Sequence, residues 1–247
     1  NHFMSAVDTN NNTKELIGRV AGEGDDFHTN NMNATNQVTG KIGKAIRMNE
    51  DSMDERVCLE DTFTNAGKCR GANPIFDDPV SVRTVSLWYK ADDVDPRQVL
   101  FEEGGSTKGQ IIHLLNGEIF ACTTASDLGT CVSYTTTANE WHHVALVWAG
   151  SEINGSYLYH DGEKVATFTG KDNVQHDDNS ALGNIAQKTR MKLTDGSGGT
   201  EQVTCSDCAS FAGIIDEFRV TDTELTSAEI QTLYNSESND DFIKVGV

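Results

Sequence analysis

Residues 213–234 read GIIDEFRVTDTELTSAEIQTLY, and their period changes halfway along. Ile214, Ile215, Phe218 and Val220 are β-branched or aromatic and predict a strand, interrupted by the acidic pair Asp216-Glu217. Ile214 and Ile215 are adjacent, so alternation is imperfect and a strand covered on both faces is expected. From Thr226 the period is helical. Thr226 followed by Glu229 is a capping-box signature, and Leu225, Ile230, Leu233 and Tyr234 set one apolar stripe on a short helix. A strand closing a sheet, a polar link and a small helix end a sandwich domain.

The chain has 247 residues, a length at which a β-sandwich still folds as one unit around a sizeable core. With 22 Gly and 3 Pro it suits many turns and few rigid linkers. Its net charge of −19 excludes nucleic acid and anionic membrane as partners, because phosphate contacts need a basic face. The charge fits calcium, neutral glycans or a saline exterior. No apolar run approaches the ~20 residues that cross a bilayer, so membrane insertion is not expected. The chain opens on Asn1 without a signal peptide, which suggests a mature or excised fragment.

Six cysteines fall into three short-range pairs, Cys58 with Cys69, Cys122 with Cys131 and Cys205 with Cys208, each expected to close a loop as a disulfide. Cys205-x-x-Cys208 also has zinc-ligand spacing, but a structural zinc needs a second close pair, which is not evident. Disulfides place the chain outside the cytosol, and three Asn-x-Ser/Thr sequons are compatible with that.

In chain order, residues 1–40 are polar, with a short strand possible at His2-Phe3-Met4 and a strand fragment around Leu16, Ile17 and Val20. Asp25-Asp26 follows a glycine-rich run, in a loop of the kind that supplies carboxylates and carbonyls to calcium. Strands are expected near 40–48, 57–59, 80–90, 98–102, 110–115, 118–123, 131–135, 141–148, 157–160 and 163–169. Asn116-Gly117 and Asp161-Gly162 are two-residue hairpin turns. Residues 171–210 are loop-rich, with order expected only at 181–185 and 190–193. Many short strands, regular turns and one late helix predict an all-β, antiparallel two-sheet sandwich with a short C-terminal helix. It is expected to span residues 1–235, with 236–247 as a tail or linker.

The segments TGKIGKAIRM (39–48), VSLWYKADD (85–93), VLFEEGG (99–105), NEWHHVALVW (139–148), YLYHDGEKV (157–165) and FAGIIDEFRVTDTELTSAEIQTLYN (211–235) carry a resemblance. In that order they resemble the LamG-like jelly-roll domains of the concanavalin A-like lectin/glucanase superfamily. The resemblance implies a jelly roll of two packed antiparallel sheets. It also implies an extracellular or cell-surface setting, as a module of an adhesin, lectin or glycan-degrading enzyme. It further implies Ca²⁺ bound by an aspartate of the IDE segment together with an N-terminal aspartate. Asp216 matches the first, and Asp8 and Asp25 are the candidates for the second.

Catalysis is not expected. The glucanase pattern Glu-x-Asp-x-x-Glu is matched at Gly213–Phe218 without its outer glutamates. His142-His143 cannot chelate one ion together, since neighbouring strand residues point to opposite faces. Glycan recognition uses exposed aromatic rings beside polar groups. Trp88 and Trp141 sit at packing positions. Trp148 and Tyr134, near strand ends, and Tyr157, Tyr159 and His160, before a turn, are the candidate ligand contacts. The leading expectation is a non-catalytic recognition module for glycan or another surface ligand, stabilised by calcium. The alternatives are a structural or adhesive part of a filament, adhesin or virion fibre acting through protein partners, and a glycan-degrading enzyme.

Overall fold

The computed structural model describes residues 13–17, 26–30, 32, 34–49, 56–59, 62–64, 68–70, 81–103, 109–125, 128–149, 155–170, 180–184, 190–194, 200–204 and 210–238. The first strands are β1 (Thr13–Ile17), β2 (Asp26–Asn30), β3 (Gln37–Thr39), β4 (Lys44–Met48), β5 (Arg56–Cys58), β6 (Thr62–Thr64) and β7 (Lys68–Arg70). They are followed by β8 (Arg83–Ala91), β9 (Gln98–Glu103), β10 (Gly109–Leu115), β11 (Glu118–Ala125), β12 (Leu128–Thr135) and β13 (His142–Trp148). The chain continues through β14 (Ser156–His160), β15 (Glu163–Phe168), β16 (Ser180–Leu182), β17 (Arg190–Thr194), β18 (Thr200–Thr204) and β19 (Gly213–Thr221), and closes with helix α1 (Ser227–Ser238).

Among the described residues these strands build two large antiparallel sheets. One runs β1-β2-β5-β16-β9-β10-β11-β12 and the other β15-β14-β13-β8-β19-β4-β3, with β6-β7 and β17-β18 as separate hairpins. The chain is an all-β jelly-roll sandwich. Thr200–Thr204, expected inside a loop, pairs with β17 instead.

The core lies between the sheets because alternate residues of each strand point inward. Val85, Leu87 and Tyr89 of β8 and Val144, Leu146 and Trp148 of β13 meet Leu100 and Phe101 of β9 and Ile112 and Leu114 of β10. Each such large apolar side chain contributes about 1.5–3 kcal/mol by leaving water. Trp148, expected near a strand end and exposed, is 1% exposed in this core. It lies on the inward face with Val144 and Leu146, so its burial follows from the strand's alternation although it ends the strand.

The outer face of the seven-stranded sheet is covered by α1. Ile230 packs with Ala145, Val147 and Tyr159, and Leu225 and Tyr157 lie at the margin. The helix starts where the capping box places it: Glu229 N–H donates to Thr226 Oγ1 (3.3 Å), and Thr226 N–H donates to Glu229 Oε2 (2.8 Å). It runs through Ser238, past the expected end of the unit at 235, and Glu237 in that last turn is buried.

Both expected hairpins form. Asn116-Gly117 turns between β10 and β11 with φ of 52° and 77°, and Asp161-Gly162 between β14 and β15 with φ of 49° and 82°. Two successive left-handed residues are the requirement of a type I′ turn. Cys122 and Cys131 face each other across β11 and β12 and form the expected disulfide. Cys58 is disulfide-bonded as well. The expected pair Cys205–Cys208 lies outside the described residues, as do Asp8, Asp25 and the strand at His2-Phe3-Met4.

Candidate functional site

The IDE segment sits in the middle of the seven-stranded sheet, with β8 on one side and β4 on the other. Its broken alternation has a local cause. Glu217 is left-handed at φ 48° and the register of β19 against β8 shifts between Asp216 and Arg219, which defines a β-bulge. The bulge buries both carboxylates. Glu217 pairs with Arg219, which also pairs with Glu237 of α1.

Asp216 is fully buried and ties β19 to the turn between β3 and β4. Its Oδ2 accepts the Ile42 N–H at 2.9 Å and its Oδ1 accepts the Glu217 N–H at 2.9 Å. Burial pushes its carboxyl up to about 7, aided by the charge of Glu217 and opposed by the backbone N–H bonds. Gly40 lies against the carboxylate so closely that a Cβ there would be 3.0 Å from Asp216 Cγ and nearer still to Oδ2. The described surroundings thus offer Asp216 N–H donors. A cation there would use its remaining lone pairs and draw further oxygens from elsewhere in the chain.

The remaining candidate residues divide between the two faces of the seven-stranded sheet. On the outer face, Tyr159 is buried under α1 with its hydroxyl 3.0 Å from Ser227 Oγ. Tyr157 is half-buried beside it, with Lys164 Nζ 3.7 Å from its ring centre. Trp88 and His143 occupy the same face: Trp88 stacks on Tyr234 at 5.4 Å and donates from Nε1 to Glu237 Oε2 at 2.6 Å. Burial lowers the His143 imidazole to about 3.

Tyr134 and His160 meet on the inner side, at one end of the sandwich where edge strand β12 lies against β14 and β15. Tyr134 shares a face with buried Ile119 across the β11–β12 ladder, and it is 42% exposed. Its ring centre lies 5.3 Å from that of His160. His160 opposes Val144, so it shares the inner face with His142 two residues earlier on β13.

Asp161, held in place by the turn, joins the two histidines. His142 Nδ1 is 2.9 Å and His160 Nδ1 3.5 Å from Asp161 Oδ2, while Oδ1 accepts the His143 N–H at 2.8 Å. Their outer nitrogens are engaged as well: His142 Nε2 with Thr137 Oγ1 at 2.9 Å, His160 Nε2 with the Tyr89 hydroxyl at 3.2 Å. Burial pushes the Asp161 carboxyl up, but the bonds from His142 and the His143 N–H outweigh it and hold the group below its ordinary range. The His160 imidazole is lowered by burial. Gly162, next in the turn, abuts Tyr234 of α1, and a Cβ there would lie 2.9 Å from its Cδ1.

His142 and His143 do point to opposite faces, as strand geometry requires. Sequence reasoning nonetheless missed the cluster, because His142 acts with His160 and Asp161 of the next strand. The usable signal was WHHV followed by YHDG: antiparallel pairing of two adjacent strands brings the start of one to the end of the other.

A family model described as the concanavalin A-like lectin/glucanases superfamily matches residues 72–231. No curated protein matches the sequence. The fold is similar to the botulinum neurotoxin serotype G binding domain, with TM-score 0.57 and 11% identity, over 90% of this chain and 49% of that one. It is also similar to the serotype D/C VPI 5993 binding domain, with TM-score 0.55 and 11% identity, over 78% and 43%. A third similar structure is domain 4 of AbnA, a GH43 extracellular arabinanase from Geobacillus stearothermophilus, in complex with arabinotriose. There the TM-score is 0.52 and the identity 19%, over 80% of each chain. The chain spans about half or less of the neurotoxin binding domains it matches. At these identities the likeness is one of fold.

Proposed function

Because the chain belongs to the concanavalin A-like lectin/glucanases superfamily, we propose that it is a non-catalytic extracellular recognition module that binds glycan at the end of the sandwich. The observation that carries the reading is Tyr134, a large ring left 42% exposed beside His160, His142 and Asp161. A pyranose presents CH groups to such a ring and hydroxyls to the Asp161 carboxylate, the most exposed group of the cluster. The arabinotriose complex of the similar AbnA domain supports a sugar as ligand class. The Cys122–Cys131 disulfide supports an oxidising compartment, and no described helix is long and apolar enough to cross a membrane. A binding rather than hydrolytic role is supported by the fate of Asp216 and Glu217. Both are buried and bonded within the fold, not set across a cleft as glycosidase carboxylates are.

Calcium belongs to the proposal at Asp216, with Asp8 and Asp25 as the partner carboxylates. A buried carboxyl raised to about 7 gains strongly from a divalent cation that replaces its proton. Glycan-array binding of the purified chain, with calcium and with EDTA, tests both parts. Binding to one glycan class that is lost in Tyr134→Ala and kept in Tyr157→Ala is expected. Binding unaffected by Tyr134→Ala would overturn the assignment, and absence of all glycan binding would move the ligand to protein. A melting temperature unchanged by EDTA would remove calcium.

A further inference from the structure

We propose that His142, His160 and Asp161 form a binding site for a zinc-class divalent ion. Their donor atoms lie within 4.8 Å of one another. Tetrahedral zinc with bonds of about 2.0–2.1 Å places its ligand atoms about 3.3 Å apart; the two His–Asp pairs, at 2.9 and 3.5 Å, are already near this, and the widest pair needs to close by at most about 1.5 Å. Two imidazole nitrogens and one carboxylate oxygen are the set that suits zinc, cobalt, nickel or copper, and disfavours calcium and magnesium, which take oxygen.

Each of the three residues is oriented by a further group. Thr137 Oγ1 and the Tyr89 hydroxyl sit on the outer imidazole nitrogens, and the His143 N–H holds the second oxygen of Asp161. With a metal on both Nδ1 atoms, each Nε2–H donates to its hydroxyl, the arrangement that fixes ring orientation in metal-binding histidines. Asp161 is positioned by backbone as well, through the left-handed turn at φ 49° and its own N–H donated to the His143 carbonyl at 2.8 Å. Side-chain exposures of 12% for His142, 6% for His160 and 31% for Asp161 leave the carboxylate as the way in. Three protein ligands leave a fourth position to water.

The inference does not rest on glycan binding, because the probe is the ion alone. The full chain, stripped with EDTA and exchanged into metal-free buffer, is titrated with zinc sulfate by calorimetry and with cobalt by visible absorption. One zinc per chain is expected, with tetrahedral cobalt bands. A hundredfold excess of calcium should leave the zinc bound, which separates this site from the one proposed at Asp216. His142→Gln and His160→Gln should each weaken zinc at least tenfold, and Asp161→Asn likewise while keeping the turn. Tyr89→Phe and Thr137→Val should cost about tenfold through lost orientation. The assignment is overturned by wild-type chain that takes up no zinc below about 1 mM. It is equally overturned if the His142→Gln/His160→Gln double variant, with unaltered circular dichroism and melting, binds zinc as the wild type does.

Discussion

The junction of Gly40 with Asp216 offers a sharp test of how β19 is fastened to the first half of the chain. In Gly40→Ala the new Cβ meets Ala45 Cβ at 2.8 Å and the Asp216 carboxylate on its other side. Ala45 is fully buried in β4 and cannot retreat, so the carboxylate must move. Moving it breaks the bond from the Ile42 N–H, worth about 1.5–3 kcal/mol for a charged acceptor. Crowding in a packed interior adds about 1–3 kcal/mol, so Gly40→Ala should cost about 2.5–6 kcal/mol. Asp216→Ala removes the same bonds but opens the space that the methyl requires. The double variant should therefore be at least about 1.5 kcal/mol more stable than the sum of the two single losses. Urea denaturation at pH 8.5 in EDTA, where the Asp216 carboxyl is ionised, on all four proteins, measures this coupling. Additivity to within about 0.5 kcal/mol would refute the argument, since residues in contact do not behave independently.

Two further predictions follow the same logic. His113 is fully buried, stacked on Phe120 at 4.9 Å, and burial lowers its imidazole to about 4. Its neutral form is favoured in the folded chain, so this contribution is intact above pH 6.5 and is lost as pH falls toward 4. His113→Leu should remove about 2–3 kcal/mol of the stability difference between pH 7 and pH 4.5, read from urea midpoints; an unchanged difference would refute the prediction. Trp88→Phe deletes the donor to buried Glu237 and should cost about 2–3 kcal/mol. Amide exchange across 228–238 should rise before that of β13, and uniform loss of protection would contradict anchoring of α1 at this residue.

Much of the fold was legible because its determinants are local. The two left-handed turns need Asn-Gly and Asp-Gly, and the start of α1 needs Thr226 and Glu229; both are readable without knowing what they pack against. The bulge in β19 was visible only as broken alternation. Its cause is tertiary: β19 pairs with β8 on both sides of the break in registers one residue apart, and Glu217 at φ 48° absorbs the difference. Trp148 was misplaced because distance from the strand end does not say which face packs inward, and it shares the core face with Val144 and Leu146. Asp216 stood out in the sequence as a calcium ligand, but its tie to Lys41 and Ile42 through backbone N–H groups depends on a turn that no local pattern announces. Tyr134, near a strand end, and His160, before a turn, were read as separate contacts. Their meeting depends on which edge strand faces which, a fact of sheet order that periodicity does not carry.

Tyr234 stacks on Trp88 with one face and crowds Gly162 with its edge, and Gly162 follows Asp161 directly. The helix on the outside of the sheet and the polar cluster on the inside therefore share a single hinge pin. A bulkier residue at 162 would therefore be felt twice, in the helix packing through Tyr234 and in the polar cluster through Asp161.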